Sequence, residues 1–164
     1  MLEIPAYLNA APALLRELCE WATARAAKGG SPLKVMLTKG SALSSERECA
    51  FIYGKESAAA PNKAATESRY KQLVHQAISC KKSAITPVIA THNPFDLAYA
   101  LLDWGRSGRK GLPPFIFRAG LGNHLGRMLA TQGAQVVLTI GTSAEEGDIY
   151  GFEDYLLELV NELS

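Results

Sequence analysis

Three cysteines in 164 residues, Cys19, Cys49 and Cys80, are too few, too widely spaced and of the wrong parity for a disulfide framework. None stands in a CxxC pair, so no metal site of that spacing is present. They read as buried thiols in a reducing compartment. Charge of one sign is equally scarce. Against 16 acidic residues stand 17 basic ones, a net charge of +1 and not the basic excess of a dedicated nucleic-acid binder. No apolar run approaches the length that crosses a bilayer. Neither GxGxxG nor GxxxxGK[ST] occurs, which removes the dinucleotide fingerprint and the P-loop. One further absence is local: no Arg or Lys lies between Ala134 and Ser164.

What is there is an ordinary globular composition, 48% hydrophobic and 20% charged, enough for one domain over 1–164 or a piece of one. The first residues, MLEIPAYLNAAPALLRELCEWATARAAK, are rich in Ala and Leu like a presequence. They also carry Glu3, Glu17 and Glu20, and transit peptides are poor in acid. The segment reads as a folded helix, with any targeting signal removed or absent.

Pro12 suits the first turn of that helix, where Leu14, Leu15, Leu18, Trp21 and Ala22 recur at helical spacing, and Gly29-Gly30 ends it. VMLTKGSALSSE follows. The strand Leu33–Lys39 breaks at Lys39-Gly40, and a helix begins near Ser45 and runs to about Tyr53. GKESAAAPNKAA is a small-residue connection to a helix over Thr66–Ser79, with Tyr70, Leu73, Val74 and Ala77 on one face.

TPVIA is a short apolar strand of the kind covered on both faces. Asn93 caps and Pro94 opens the next helix, which carries Phe95, Leu97, Ala98, Leu101 and Leu102. PPFIFRAG is a strand, Asn123 to about Gln132 a helix, AQVVLTIG the last strand, and Phe152 to Leu163 a closing helix. The sum is an α/β protein: four βα units after one leading helix, with a parallel sheet. Such units build either a small open sheet or half of an eight-stranded barrel.

Read without relatives, the polar residues are bland. Lys39-Gly40 is a turn with a solvated lysine. His92 belongs to a capping loop, since no Ser or Cys nucleophile with a base is discernible. Glu145, Glu146 and Asp148 form an exposed acidic loop without calcium-loop spacing. Arg106, Arg109 and Lys110, in GRSGRKG, read as a solvated basic turn, and Trp21 and Trp104 as packing residues.

The order of the short motifs adds more. KGSALSSERECA, KAATESRY, VIATHNPFDLAYALL and FRAGLGNHLGRMLATQG stand in register on successive βα units. Together they resemble the C-terminal half of proline dehydrogenase, an FAD-dependent (βα)8 barrel that oxidises proline to pyrroline-5-carboxylate. The family's equivalents read K/R-G-A-Y-x-x-x-E, K-x-x-T-x-x-x-Y, A-T-H-N and G-M-x-x-x-L. The resemblance implies that Lys39 and Gly40 lie beside the cofactor. It implies that Lys63 and Thr66 touch the phosphate-bearing arm of the flavin, and that Thr91, His92 and Asn93 meet its adenosine part. A helix opened by Asn93 would favour an anionic ligand there.

The catalytic positions depart from the family. Met36 stands for a strand Arg beneath the flavin, Ala42 for the Tyr that closes over proline, Ile116 for a Gln facing the flavin, and Val137 for a Tyr. The family's YLxRR, whose Arg pair holds the substrate carboxylate, is matched by YLLEL, with Glu158 and Leu159 in place of the cations. No catalytic residue is therefore assigned.

The resemblance implies a non-catalytic member that serves as a structural or interaction subunit of a larger assembly. The enzymatic alternative is an FAD-dependent proline dehydrogenase whose remaining half lies on another chain. A flavin or nucleotide module without turnover is a third reading. No cofactor is expected to be retained, FAD being the one the resemblance allows, and no metal. The expected partners are other subunits or a second copy covering the open half-barrel. They are expected beside Leu33–Lys39, thought to lack its N-terminal neighbour, and beside Val136–Ile140. The SSER and ATHN wording is closer to the monofunctional eukaryotic enzymes and implies a mitochondrial setting, otherwise a cytoplasmic one.

Overall fold

In the strand Leu33–Thr38 every second side chain is buried: Val35 and Leu37 are wholly inside, while Lys34, Met36 and Thr38 are not. The same period of two sorts Ile85, Ile89, Phe115 and Phe117 to the core. A computed structural model describes residues 1–40 and 43–139, with 43–45 described by backbone alone. Ala42, the acidic loop at Glu145, Glu146 and Asp148, and the closing helix with Glu158 and Leu159 lie outside the described residues.

Five strands, β1 (Leu2–Pro5), β2 (Leu33–Thr38), β3 (Ile85–Ala90), β4 (Phe115–Arg118) and β5 (Val136–Thr139), form one sheet in the order β1-β2-β3-β4-β5. Every pairing is parallel. Between them run α1 (Ala11–Ala27), α2 (Leu43–Ile52), α3 (Lys63–Ser79), α4 (Pro94–Arg106) and α5 (Asn123–Thr131). When each crossover steps one strand onward in the same direction, right-handedness puts the helices on one face. That is the winding of a barrel, not of a doubly wound sheet whose order reverses. The fold is α/β with a parallel sheet, as the alternation predicts.

The four-strand reading misses β1. It pairs with β2 from Leu2↔Val35 to Pro5↔Thr38, so Leu33–Thr38 keeps an N-terminal neighbour and the expected exposed edge there does not exist. LEIP is too short to show alternation, and Pro5 reads as a breaker. At the end of a strand it is tolerated.

The helices anchor where their caps allow. Phe95 N–H donates to Asn93 Oδ1 at 2.9 Å, with Pro94 in the first turn, as expected for α4. α3 starts earlier than its apolar face implies, because Ala65 N–H donates to Asn62 Oδ1 at 2.8 Å. Its face of Tyr70, Leu73, Val74 and Ala77 is fully buried.

Three bland readings need correction. Trp21 does not pack inside. It is 56% exposed, because α1 buries the narrow stripe of Ala11, Leu15 and Ala22 and leaves Trp21 a third of a turn away, beside Arg25. Cys49 is exposed, and Cys19 and Cys80 are only half-buried. Arg109 is no solvated turn residue. Its guanidinium donates to the carbonyls of Ile78, Ile85 and Cys80 at 3.1, 3.3 and 2.7 Å and lies 5.1 Å from the Trp104 ring. A helix leaves its last carbonyls unpaired, and Arg109 answers those at the end of α3. Trp104 is buried as expected, its Nε1–H donating to Gly111 O at 3.0 Å. Among the described residues no helix is long and apolar enough to cross a membrane.

Candidate functional site

At the C-terminal ends of the strands, side chains of the period-two set that faces away from the helices border an open cavity of about 570 Å³. Met36 of β2 and Ile116 of β4 give it an apolar floor, with Glu3 of β1 on one flank and Arg118 of β4 on the other. This end of a parallel sheet is where α/β proteins build their sites, since the loops there diverge from a rigid base.

Gly40 terminates β2 with φ +92°, and a Cβ built on it would lie 2.1 Å from a ring carbon of Tyr7. Only glycine meets both demands. Tyr7 N–H in turn donates to Lys39 O at 3.2 Å, which ties the chain leaving β1 to the end of β2.

Lys39 is therefore held with its ammonium turned inward. Nζ lies 2.8 Å from Asp96 Oδ2 of α4 and 3.8 Å from Glu67 Oε1 of α3, and 5.9 Å from the Tyr70 ring centroid. Asp96 is only 3% exposed, and Thr91 Oγ1 is 3.4 Å from the same carboxylate oxygen. Tyr70 O–H donates to Ala90 O at 3.2 Å. Burial, and secondarily the charge of Asp96, push its phenol well above the usual range, so it stays neutral. The lysine is the hub of a polar network, not the solvated turn residue of the bland reading.

Five of the seven residues implied by the resemblance, Lys39, Gly40, Thr91, His92 and Asn93, border this cavity. Lys63 and Thr66 do not. The Lys63 side chain is 88% exposed and reaches Glu67 at 3.9 Å, a surface pair of little energetic weight. Thr66 is buried within α3, its hydroxyl donating to Asn62 O at 3.4 Å. His92 packs its ring 5.9 Å from that of Phe117. Burial, then the charge of Arg118, hold its pKa below the ordinary value, against an opposing hydrogen bond with the Leu121 backbone.

Sequence reasoning misses Glu3 and Arg118 as cavity residues. Arg118 could have been found, because two places after Ile116 in one strand puts both on the same face. Glu3 could not, since β1 itself is not legible. Its carboxylate accepts from Thr38 Oγ1–H at 2.8 Å.

A flavin nucleotide asks for cations or free N–H groups at its phosphates and polar partners at its ring. Here Lys39 is engaged by Asp96, Lys63 points into solvent, the Asn93 oxygen caps α4, and Met36 and Ile116 offer no polar group. Arg118 leaves one cation on the cavity wall, so among the described residues the set for FAD is partial. Among the described residues no cluster of His, Cys, Asp and Glu could hold a metal ion.

Comparison with known proteins bears on the same fold. The family model described as proline dehydrogenase matches residues 1–146. Nothing among the curated proteins matches. Among solved structures, proline utilization A from Corynebacterium freiburgense is similar with a TM-score of 0.79 and 24% identity, over 99% of this chain and 16% of that one. The protein of the same name from Bdellovibrio bacteriovorus, inactivated by N-propargylglycine, gives 0.76 and 24% over 85% of this chain and 14% of that one. That from Bradyrhizobium japonicum gives 0.70 and 26% over the same shares. The chain thus spans about one-seventh of the length of the structures it matches.

Proposed function

Because the chain belongs to the proline dehydrogenase family, whose members are FAD-dependent oxidoreductases, we propose that it supplies barrel framework without oxidising proline itself, as a structural or interaction subunit of a larger assembly. The observation that carries this reading is the Lys39–Asp96 contact at 2.8 Å. An ammonium neutralised by a buried carboxylate has little charge left for an anionic ligand. The apolar floor of Met36 and Ile116 replaces the Arg and Gln that the resemblance implies, and FAD is expected to bind weakly or not at all.

The partner is a protein surface, from another subunit or a second copy, laid over the cavity face and beside β5, which has no second neighbour among the described residues. A mitochondrial setting rests on the SSER and ATHN wording alone.

A second reading has its own support. Five residues implied for the flavin border one cavity at the functional end of the sheet, which favours an FAD-dependent proline dehydrogenase completed by another chain. The two are separated by assaying the natively purified protein, with the chains that accompany it retained and FAD added, for proline-dependent reduction of an artificial electron acceptor. No reduction is expected; turnover would overturn the first reading.

A further inference from the structure

Because every strand pairing is parallel, the connections that lead into β2, β3, β4 and β5 gather at one end of the sheet. The cavity lies at the other end, where Thr38, Ala90, Arg118 and Thr139, the last residues of those strands, line it. Six cations stand exposed at the end away from the cavity: Lys28, Lys34, Lys81, Lys82, Arg106 and Lys110. None of the four connections holds an acidic residue, and the ion pairs among the described residues use none of the six. Helix dipoles favour cations at helix C-termini, which accounts for Arg106 in the last turn of α4. They do not account for Lys34, on a strand, or Lys110, in a loop. The surface is also tied together. Lys82 Nζ donates to Gly108 O at 2.6 Å, and Arg109 donates to Cys80 O and Ile85 O, so the connections before β3 and β4 form one basic platform.

Charge is divided along the chain as well. Residues 140–164 hold seven of the 16 acidic residues and none of the 17 basic ones, a net of −7, which leaves +8 on residues 1–139. The acidic segment follows Thr139, so it departs from the cavity end of β5, opposite the platform. Opposite signs on opposite ends of one molecule are complementary between copies, and such complementarity steers association and sets its register. Nucleic acid fits the platform less well than an acidic peptide, since no aromatic residue interleaves the cations of these connections for bases to stack on.

We propose that the acidic residues 140–164 of one copy dock on the basic platform of a second copy, a head-to-tail contact that joins opposite ends of the sheet. It is independent of whether the chain oxidises proline, and it adds a contact distinct from the surface over the cavity.

Sedimentation equilibrium of the full chain tests this. The screening length is about 30 Å at about 0.01 M salt and about 3 Å at about 1 M. The mean mass should therefore be higher at low salt and fall at high salt. Equal masses at the two salt concentrations would overturn the proposal. Two variants read the direction: K81E/K82E/K110E keeps the acids and loses the platform, while a second variant keeps the platform and has the seven acids from Glu145 to Glu162 changed to their amides. Each alone should have the same mass at both salt concentrations, and their mixture should gain one-to-one pairs at low salt only. A low-salt gain in either variant alone, or no gain on mixing, would contradict the head-to-tail contact. Retention of the amide variant on duplex DNA, with no pairing to K81E/K82E/K110E, would assign the platform to nucleic acid instead. The salt comparison on the unsubstituted chain stands if a variant fails to fold.

Discussion

Lys39 Nζ stands 2.8 Å from Asp96 Oδ2, an oxygen of a carboxylate that is 3% exposed, at the point where β2 ends and α4 begins. Two residues far apart in sequence thus neutralise each other at the mouth of the cavity. The contact fixes the opening of α4 against the sheet and gives a cation that borders the cavity a buried counter-charge.

Asp96→Asn should be costly. Breaking a buried pair costs about 3–5 kcal/mol, and since Lys39 is partly exposed and can be rehydrated the loss should fall near the lower end. Urea unfolding checks this. The same substitution releases the ammonium toward the cavity, so FAD affinity measured by flavin fluorescence should rise relative to the parent. An unchanged affinity would mean that the pair does not limit binding.

Gly40→Ala confronts both a left-handed backbone and the Tyr7 ring. Backbone strain of about 1 kcal/mol adds to overpacking of about 1–3 kcal/mol. The double variant with Tyr7→Ala should recover the overpacking part and not the strain, again by urea unfolding.

His92 gives a pH dependence of known sign. Burial and Arg118 lower its folded pKa from the ordinary 6.5. As pH falls, the unfolded chain takes up this proton first. The contribution of His92 is therefore complete above about 6.5 and is lost as pH falls through that value toward the folded pKa. Arg118→Ala removes the second cause, and the His92 titration followed by NMR should move upward.

Arg109→Met leaves three carbonyls at the end of α3 and start of β3 without their donor. At about 1 kcal/mol for each lost bond the expected loss is about 3 kcal/mol. Arg109→Lys should restore only part of it, since one ammonium cannot reproduce the fork.

The sequence makes the repeating parts legible. The period of two in VMLT, the buried face of Tyr70, Leu73, Val74 and Ala77, and the Asn93-Pro94 opening all depend on local chemistry and stand in the structure as read. β1 is hidden because its four residues gain their meaning only from pairing with β2. The inward turn of Lys39 is hidden because its partner, Asp96, sits on another element, and no spacing rule links the two. Arg109 is misread for the same reason: its acceptors are the carbonyls of a distant helix end. At the site, the loop residues Thr91, His92 and Asn93 gather at the cavity as their shared loop requires. Lys63 and Thr66 diverge because helical geometry sends one into solvent and the other into the core.

The central claim is that this cavity is a proline dehydrogenase site emptied of its chemistry, and the flavin content of the natively purified protein tests it most directly. Heating the protein and measuring released flavin against protein by absorbance should yield far less than one flavin per chain, and the protein before heating should show no flavin bands. A yellow protein releasing one flavin per chain would contradict the claim and leave the enzymatic reading and the flavin module without turnover in its place.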